Sequence, residues 1–396
     1  MHRLSVEEFK AGLQPEVELL LGCARLTLPD SLRDRIKSLL ACPLDWTKLM
    51  TLAQGHGLLP LLYRHFNMLG PEAVPKAIFA QLWARYESNR RRNQAMARAL
   101  IDVLHTLDEG GIPAIAYKGP ALASSVYGDL GLREFSDLDI LLRPRDVLCA
   151  KRLLQARGDV PEYDLKPPME AALLRSRLNC HLVVFHGVNH VMVELHWKTD
   201  ADFPVEPKDD DEWWQNLGSE SLEKERIRCF ATEELLLILL LHGAKHGWDS
   251  LGWLVDVAEI IRQHPDLEWN WLTSKAEQLN CQRKLAVGLF LANHLLDAPL
   301  PKKVEDSVDR ITEARLLAEE IIRTLFTATP HGRKAFEGLR FNLKLYDRSW
   351  QKVTHCTSVL LAPSLVEWSR WPLPRYLHFL YLPLRLVRLL AKYGLT

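Results

Sequence analysis

One stretch constrains this chain more than any other: residues 117–142, YKGPALASSVYGDLGLREFSDLDILL. It reads as a strand closing on Lys118 and Gly119, a short helix, a turn carrying Arg133, and a second strand carrying Asp137 and Asp139. Side chains alternate along a strand, so carboxylates at i and i+2 point to one face. This pair follows a glycine turn and lies inside an apolar run. Carboxylates on a buried strand are costly unless a cation compensates them. A hard divalent ion, Mg²⁺ or Mn²⁺, is the obvious compensation. It takes oxygen ligands and is held by one or two carboxylates plus substrate phosphates.

A third acid completes such a set. Residues 190–197 read HVMVELHW. As a strand, His190, Met192, Glu194 and His196 share one face, while Val191, Val193, Leu195 and Trp197 share the other. The second face is wholly apolar and belongs against a core. Glu194 therefore stands on the wetter face, with a histidine two residues away. Three carboxylates on neighbouring strands suit a two-metal phosphoryl-transfer site.

Lys118 and Arg133 are the nearest basic groups, and both suit phosphate, Arg as a fork and Lys as a point charge. A second cluster is HGAKHGWDSLGWLVD. On a helix His242, Lys245 and His246 share one face, and Trp253 and Asp256 follow on the next helix. Two readings stand. One is a polar seam between packed helices, with Asp256 bonding a histidine. The other is a cationic face for the nucleotide or substrate. Arg85, Arg90, Arg91, Arg92 and Arg98 form either a solvated helix face or an RNA-binding one.

The ordered set of glycine turn, Arg133, Asp-x-Asp and Glu194 resembles the nucleotidyltransferase domain of the DNA polymerase β superfamily. More narrowly, KGPAL, SDLDILL, VELHW and LLLHGAKHGWDSLGWLVDV resemble an uncharacterised bacterial nucleotidyltransferase family, type 5, over roughly residues 80–270. The resemblance implies a metal-dependent transfer of a nucleoside monophosphate from an NTP, such as ATP, to a hydroxyl acceptor. It assigns Asp137, Asp139 and Glu194 to metal and catalysis, and Lys118, Gly119, Arg133, His242, Lys245 and His246 to nucleotide or substrate. Acceptors in such families are small molecules, peptides, saccharides or, in toxin-like members, tRNA. One departure is Pro120. The superfamily usually has Ser or Gly after the turn glycine, and proline has no N–H to offer a phosphate. A catalytically inactive scaffold of the same fold is the rival reading.

Composition sets outer limits. The 396 residues are 47% hydrophobic and carry a net charge of +0, so any basic patch for nucleic acid must be local. The seven cysteines are scattered without a CxxC pair, which fits a reducing cytoplasm and offers no zinc site by spacing. The polar N-terminus reads as no signal peptide.

The expected fold is α+β, a small mixed β-sheet flanked by N-terminal and C-terminal helical regions. The boundaries read as a helical region over 1–110, the sheet domain over 111–200 and an acidic linker over 201–220. A helical domain over 221–345 follows, then an aromatic and basic segment over 346–396. Helices are expected in LSVEEFKAGL and over 75–110, strands over 112–117 and 137–142, and a hairpin from 181–185 and 190–197 around Gly187. The last segment reads either as a packed helix or as a peripheral membrane contact, with Pro383 interrupting any long helix.

Overall fold

The computed structural model describes residues 12–176, 179–200, 214, 217–326, 335–361, 363–371, 373 and 375–393. The expected opening helix in LSVEEFKAGL lies almost wholly outside the described residues, as does most of the 201–220 linker. The chain begins with helices α1 (Pro15–Cys23), α2 (Asp30–Leu40), α3 (Trp46–Gly55), α4 (Leu59–Leu69) and α5 (Lys76–Glu109). Strands β1 (Ala114–Ala116) and β2 (Asp137–Leu142), helix α6 (Val147–Ala156) and the two-residue β3 (Val160–Pro161) follow. Next come α7 (Pro167–Leu174), β4 (His181–His186), β5 (Val191–His196), β6 (Gly218–Leu222) and β7 (Glu225–Cys229). The helical stretch after them holds α8 (Thr232–Lys245), α9 (Leu251–Gln263), α10 (Trp269–Gln278), α11 (Gln282–Leu296), α12 (Lys302–Asp309), α13 (Thr312–Leu325) and α14 (Ala335–Lys344). Helices α15 (Ser349–Leu361), α16 (Leu365–Arg370) and α17 (Tyr381–Tyr393) close the chain. No helix among the described residues is long and apolar enough to cross a membrane. The architecture is α+β, as expected.

Two compact units share these elements, and neither is continuous in sequence. The helical unit comprises Met1–Ala95, Pro120–Phe135 and Ala231–Asp347. Its α8 is apolar on every side, with Leu236 through Leu241 all buried, which marks a helix enclosed by others. The chain leaves α8 through Gly247 and then Trp248, both at positive φ (66° and 55°), and the Trp248 side chain is fully buried. Two glycines make room for that indole. A Cβ on Gly243 would stand 2.3 Å from Trp248, and one on Gly288 of α11 would stand 2.4 Å from Leu240 and 2.6 Å from Trp248. Much of the HGAKHGW pattern is therefore a packing device.

The sheet unit comprises Met96–Gly119, Ser136–Phe230 and Arg348–Thr396. Its five-stranded sheet runs β1-β2-β5-β4-β3. The β2–β5 pair is parallel and the other neighbours are antiparallel. Val193, Leu195 and Trp197 are buried, as the apolar face of VMVELHW requires. β6 and β7 form a separate hairpin that takes up the end of the expected linker. Its two loop residues, Glu223 and Lys224, both adopt positive φ (50° and 76°). Such turns usually carry Asn or Gly, so these two residues carry no turn signal.

The last α-helix starts only two residues before Pro383. The proline sits in the first turn of α17, where a proline removes no intrahelical hydrogen bond. Two arginines of that helix are committed to partners. Buried Arg385 donates to Val359 O (2.8 Å from Nε) and pairs with the fully buried Glu367 at 3.3 Å, and Arg388 pairs with the same carboxylate.

Candidate active site

β2 and β5 lie side by side in parallel register, and that register places Asp139 directly beside Glu194. Asp137, the first residue of β2, stands beside Met192 and is half-buried. Asp139 is buried, and Glu194 is half-buried. Two like charges this close on a sheet repel unless cations intervene. Two cationic groups do. Lys118 Nζ lies 3.2 Å from Asp139 Oδ1. His196 Nε2 lies 3.1 Å from Asp139 Oδ1 and 3.0 Å from Glu194 Oε2. Further along, His181 Nδ1 stands 3.6 Å from Glu194 Oε2.

The electrostatics follow from this packing. Burial by itself would lower the pKa of His196, but the hydrogen bonds with Asp139, Cys180 and Glu194 outweigh it and hold the imidazole well above its usual range. Burial pulls Glu194 the other way, upward, and its bond to His196 and the charge on His181 bring it below the ordinary carboxylate value. The ligand atoms of Asp139, Glu194 and His196 all lie within 4.8 Å of one another, a spacing that fits one metal ion. Asp137 is outside that triad.

The sequence-expected residues divide between the units. Lys118, Gly119, Asp137, Asp139 and Glu194 belong to the sheet unit, and Arg133, His242, Lys245 and His246 to the helical unit. Gly119 takes φ +52°, a conformation glycine adopts without strain, and it directs the chain from β1 into a short helical turn. Arg133 does not stand as an open phosphate contact. Its Nε and Nη2 form a fork with Asp256 of α9, both at 2.9 Å, and the Tyr127 hydroxyl donates to the same carboxylate at 2.6 Å. Asp256 thus bonds an arginine and a tyrosine, where the seam reading had a histidine. The turn carrying Arg133 is held from α5 by Asn93, which donates to Leu130 O (2.6 Å) and Arg133 O (2.8 Å). Asn89 adds bonds to Gly131 O and Arg133 O.

His242, His246 and Trp253 form a ring cluster with centroids 4.7 to 5.5 Å apart, and Lys245 and His246 are exposed. Part of the basic run is structural. Arg90 pairs with Glu87 at 3.1 Å, and Arg92 bonds Asn89 and the carbonyl of Phe135. His196 was visible in sequence as the neighbour of Glu194 on its strand face. His181 and Cys180 were not: the hairpin register sets His181 opposite His196, and Cys180 follows at the end of the ladder.

The model of a family described as an uncharacterised nucleotidyltransferase matches residues 43–297. The chain belongs to that family. The match spans part of both units and includes every acid, base and histidine of the candidate site. No curated protein and no solved structure matches the chain.

Proposed function

We propose that this nucleotidyltransferase-family chain is a divalent-metal-dependent enzyme that moves a nucleoside monophosphate from an NTP to a hydroxyl acceptor. One observation carries the reading. Asp139 and Glu194 are register partners on adjacent parallel strands, with the donor atoms of Asp139, Glu194 and His196 inside 4.8 Å. The donor set fits Mg²⁺ or Mn²⁺, since carboxylate oxygens on a rigid sheet face suit hard cations. Asp139 and Glu194 would hold the ion, and Asp137 would add an oxygen toward the triphosphate. When bound, the ion supplies charge neutralisation for the phosphates and lowers the pKa of the attacking hydroxyl.

The chain's own groups do the rest. Lys118, at the end of β1, would bind a phosphate oxygen as a point charge once the triphosphate competes for it. Gly119 keeps the backbone clear for a close approach. Pro120 offers no N–H, so the grip rests more heavily on Lys118. The acceptor oxygen attacks the α-phosphorus, the bond to the bridging oxygen breaks, and pyrophosphate leaves. Glu194 takes the acceptor's proton as general base; its low pKa keeps it ionised and ready to accept.

The experiment incubates wild type and Asp139→Asn with Mg²⁺, labelled NTPs and a cell extract, and follows pyrophosphate release and newly labelled masses. Transfer by wild type and a loss on the order of a thousandfold in the variant are expected. Equal release from both would remove the site. No release from the folded wild type with any NTP would favour the inactive-scaffold reading.

A further inference from the structure

We propose a second metal subsite, formed by Cys180, His181 and His196, that takes a borderline-soft divalent cation such as Zn²⁺. Cysteine spacing along the chain shows no such site; the hairpin assembles it. β4 and β5 pair antiparallel, with His181 directly opposite His196. The Trp197 N–H donates to Cys180 O at 2.9 Å, which fixes Cys180 at the end of the same ladder.

The geometry is close to what zinc demands. Zinc bonds of 2.0–2.3 Å in a tetrahedron put neighbouring ligand atoms roughly 3.3 to 3.8 Å apart. Cys180 Sγ and His181 Nδ1 are 3.6 Å apart, and all three ligand atoms lie within 4.8 Å of one another. Cys180 and His196 are each 4% exposed, and His181 remains open to one side. The His196 ring ties the set together: its Nε2 faces Asp139 and Glu194, and the ring also hydrogen-bonds Cys180.

The donor chemistry separates this subsite from the carboxylate one. A thiolate with two imidazoles favours zinc and its neighbours over Mg²⁺, whereas Asp139 and Glu194 favour the harder ion. Three protein ligands leave a fourth position open, as in zinc sites that bind water or substrate. His196 is common to both sets. Zinc binding here stands whether or not the chain transfers nucleotides.

The test uses the full-length protein, stripped with EDTA and titrated with Co²⁺. Cobalt bound by a thiolate shows an intense near-ultraviolet charge-transfer band that oxygen and nitrogen ligands do not give. The expected result is a band saturating at one equivalent and erased by Zn²⁺. It should vanish in Cys180→Ser and persist in Cys149→Ser, whose cysteine is exposed elsewhere. His181→Gln should weaken binding by more than the ~10-fold typical of an outer-shell change. Should Cys180→Ser fail to fold, His181→Gln decides, because that side chain is 32% exposed and tolerates change. No band in wild type, a band surviving in folded Cys180→Ser, or unaltered affinity in His181→Gln overturns the proposal.

Discussion

His196 Nε2 lies 3.1 Å from Asp139 Oδ1, and the same carboxylate oxygen receives Lys118 Nζ at 3.2 Å. Two protein cations therefore converge on the acid that the metal reading needs most. This explains how two clustered carboxylates are tolerated on a folded sheet without an ion. It also changes what substitutions at this site do to stability. An isolated acid cluster would gain from neutralising Asp139. Here Asp139→Asn strips a partner from Lys118 and His196, so the metal-free variant is expected to melt below wild type.

Lys118→Met tests that balance from the other side. Lys118 and Asp139 have side chains 11% and 5% exposed. Removing one member of such a pair leaves a buried charge under-compensated, at a cost of about 3 kcal/mol. The melting temperature in EDTA should fall, and Mg²⁺ should recover part of the loss by supplying the missing cation. Identical melting in EDTA would show that the pair contributes nothing. A loss that Mg²⁺ leaves untouched would argue against an ion beside Asp139.

Arg133 and Asp256 give the sharpest division between a structural and a substrate role. Their side chains are 11% and 2% exposed, and the contact is a fork. Arg133→Met should destabilise by about 3–5 kcal/mol, read as a shifted urea midpoint. Adding Asp256→Leu to it should restore part of the loss, because the orphaned carboxylate is removed. If Arg133→Met instead keeps the midpoint and loses NTP affinity by calorimetry, the guanidinium belongs to the substrate.

Strand periodicity makes the sheet face legible in the sequence. Alternation put Asp137 with Asp139 and Glu194 with His196, and β2 and β5 appear where the apolar runs placed them. What sequence left hidden was partnership at long range. Asp256 lies 123 residues from Arg133, and no local pattern marks that pair. The turn carrying Arg133 depends likewise on Asn89 and Asn93 of α5, which read as ordinary polar helix residues. The β6–β7 hairpin escaped because Glu223-Lys224 carries none of the usual turn residues. In HGAKHGW the histidines and lysine drew attention, although the glycines and Trp248 do the packing.

Gly288→Ala separates those two aspects of HGAKHGW. The added methyl would stand 2.4 Å from Leu240 and 2.6 Å from Trp248, inside a filled core. Overpacking of this kind costs about 1–3 kcal/mol. Lys245→Ala and His246→Ala change exposed side chains and should leave the melting temperature nearly unaltered. Calorimetry with NTP and Mg²⁺ on the same variants reports whether those two bases touch nucleotide. A stable Gly288→Ala would show that the indole's fit between α8 and α11 is looser than the distances imply.

Two buried histidines set an acid limit for the helical unit. Burial pushes His65 down to about 4, against a partly offsetting bond from Nε2 to Arg25 O at 2.6 Å. Burial does the same to His56, also to about 4, although a bond to a backbone carbonyl opposes it. In the unfolded chain both rings titrate near ~6.5. Below that pH the unfolded chain gains protons that the folded chain refuses, so stability falls as acid is added. The two contributions are complete above pH ~6.5 and are lost as pH falls toward 4, roughly 3 kcal/mol for each ring. Urea unfolding at several pH values between 7 and 4.5 should show this slope. His65→Gln, which cannot charge, should flatten it by about half of the histidine share. Parallel pH profiles for wild type and His65→Gln would mean that the His65 ring already titrates normally in the folded state, leaving His56 and the carboxylates to account for the acid limb.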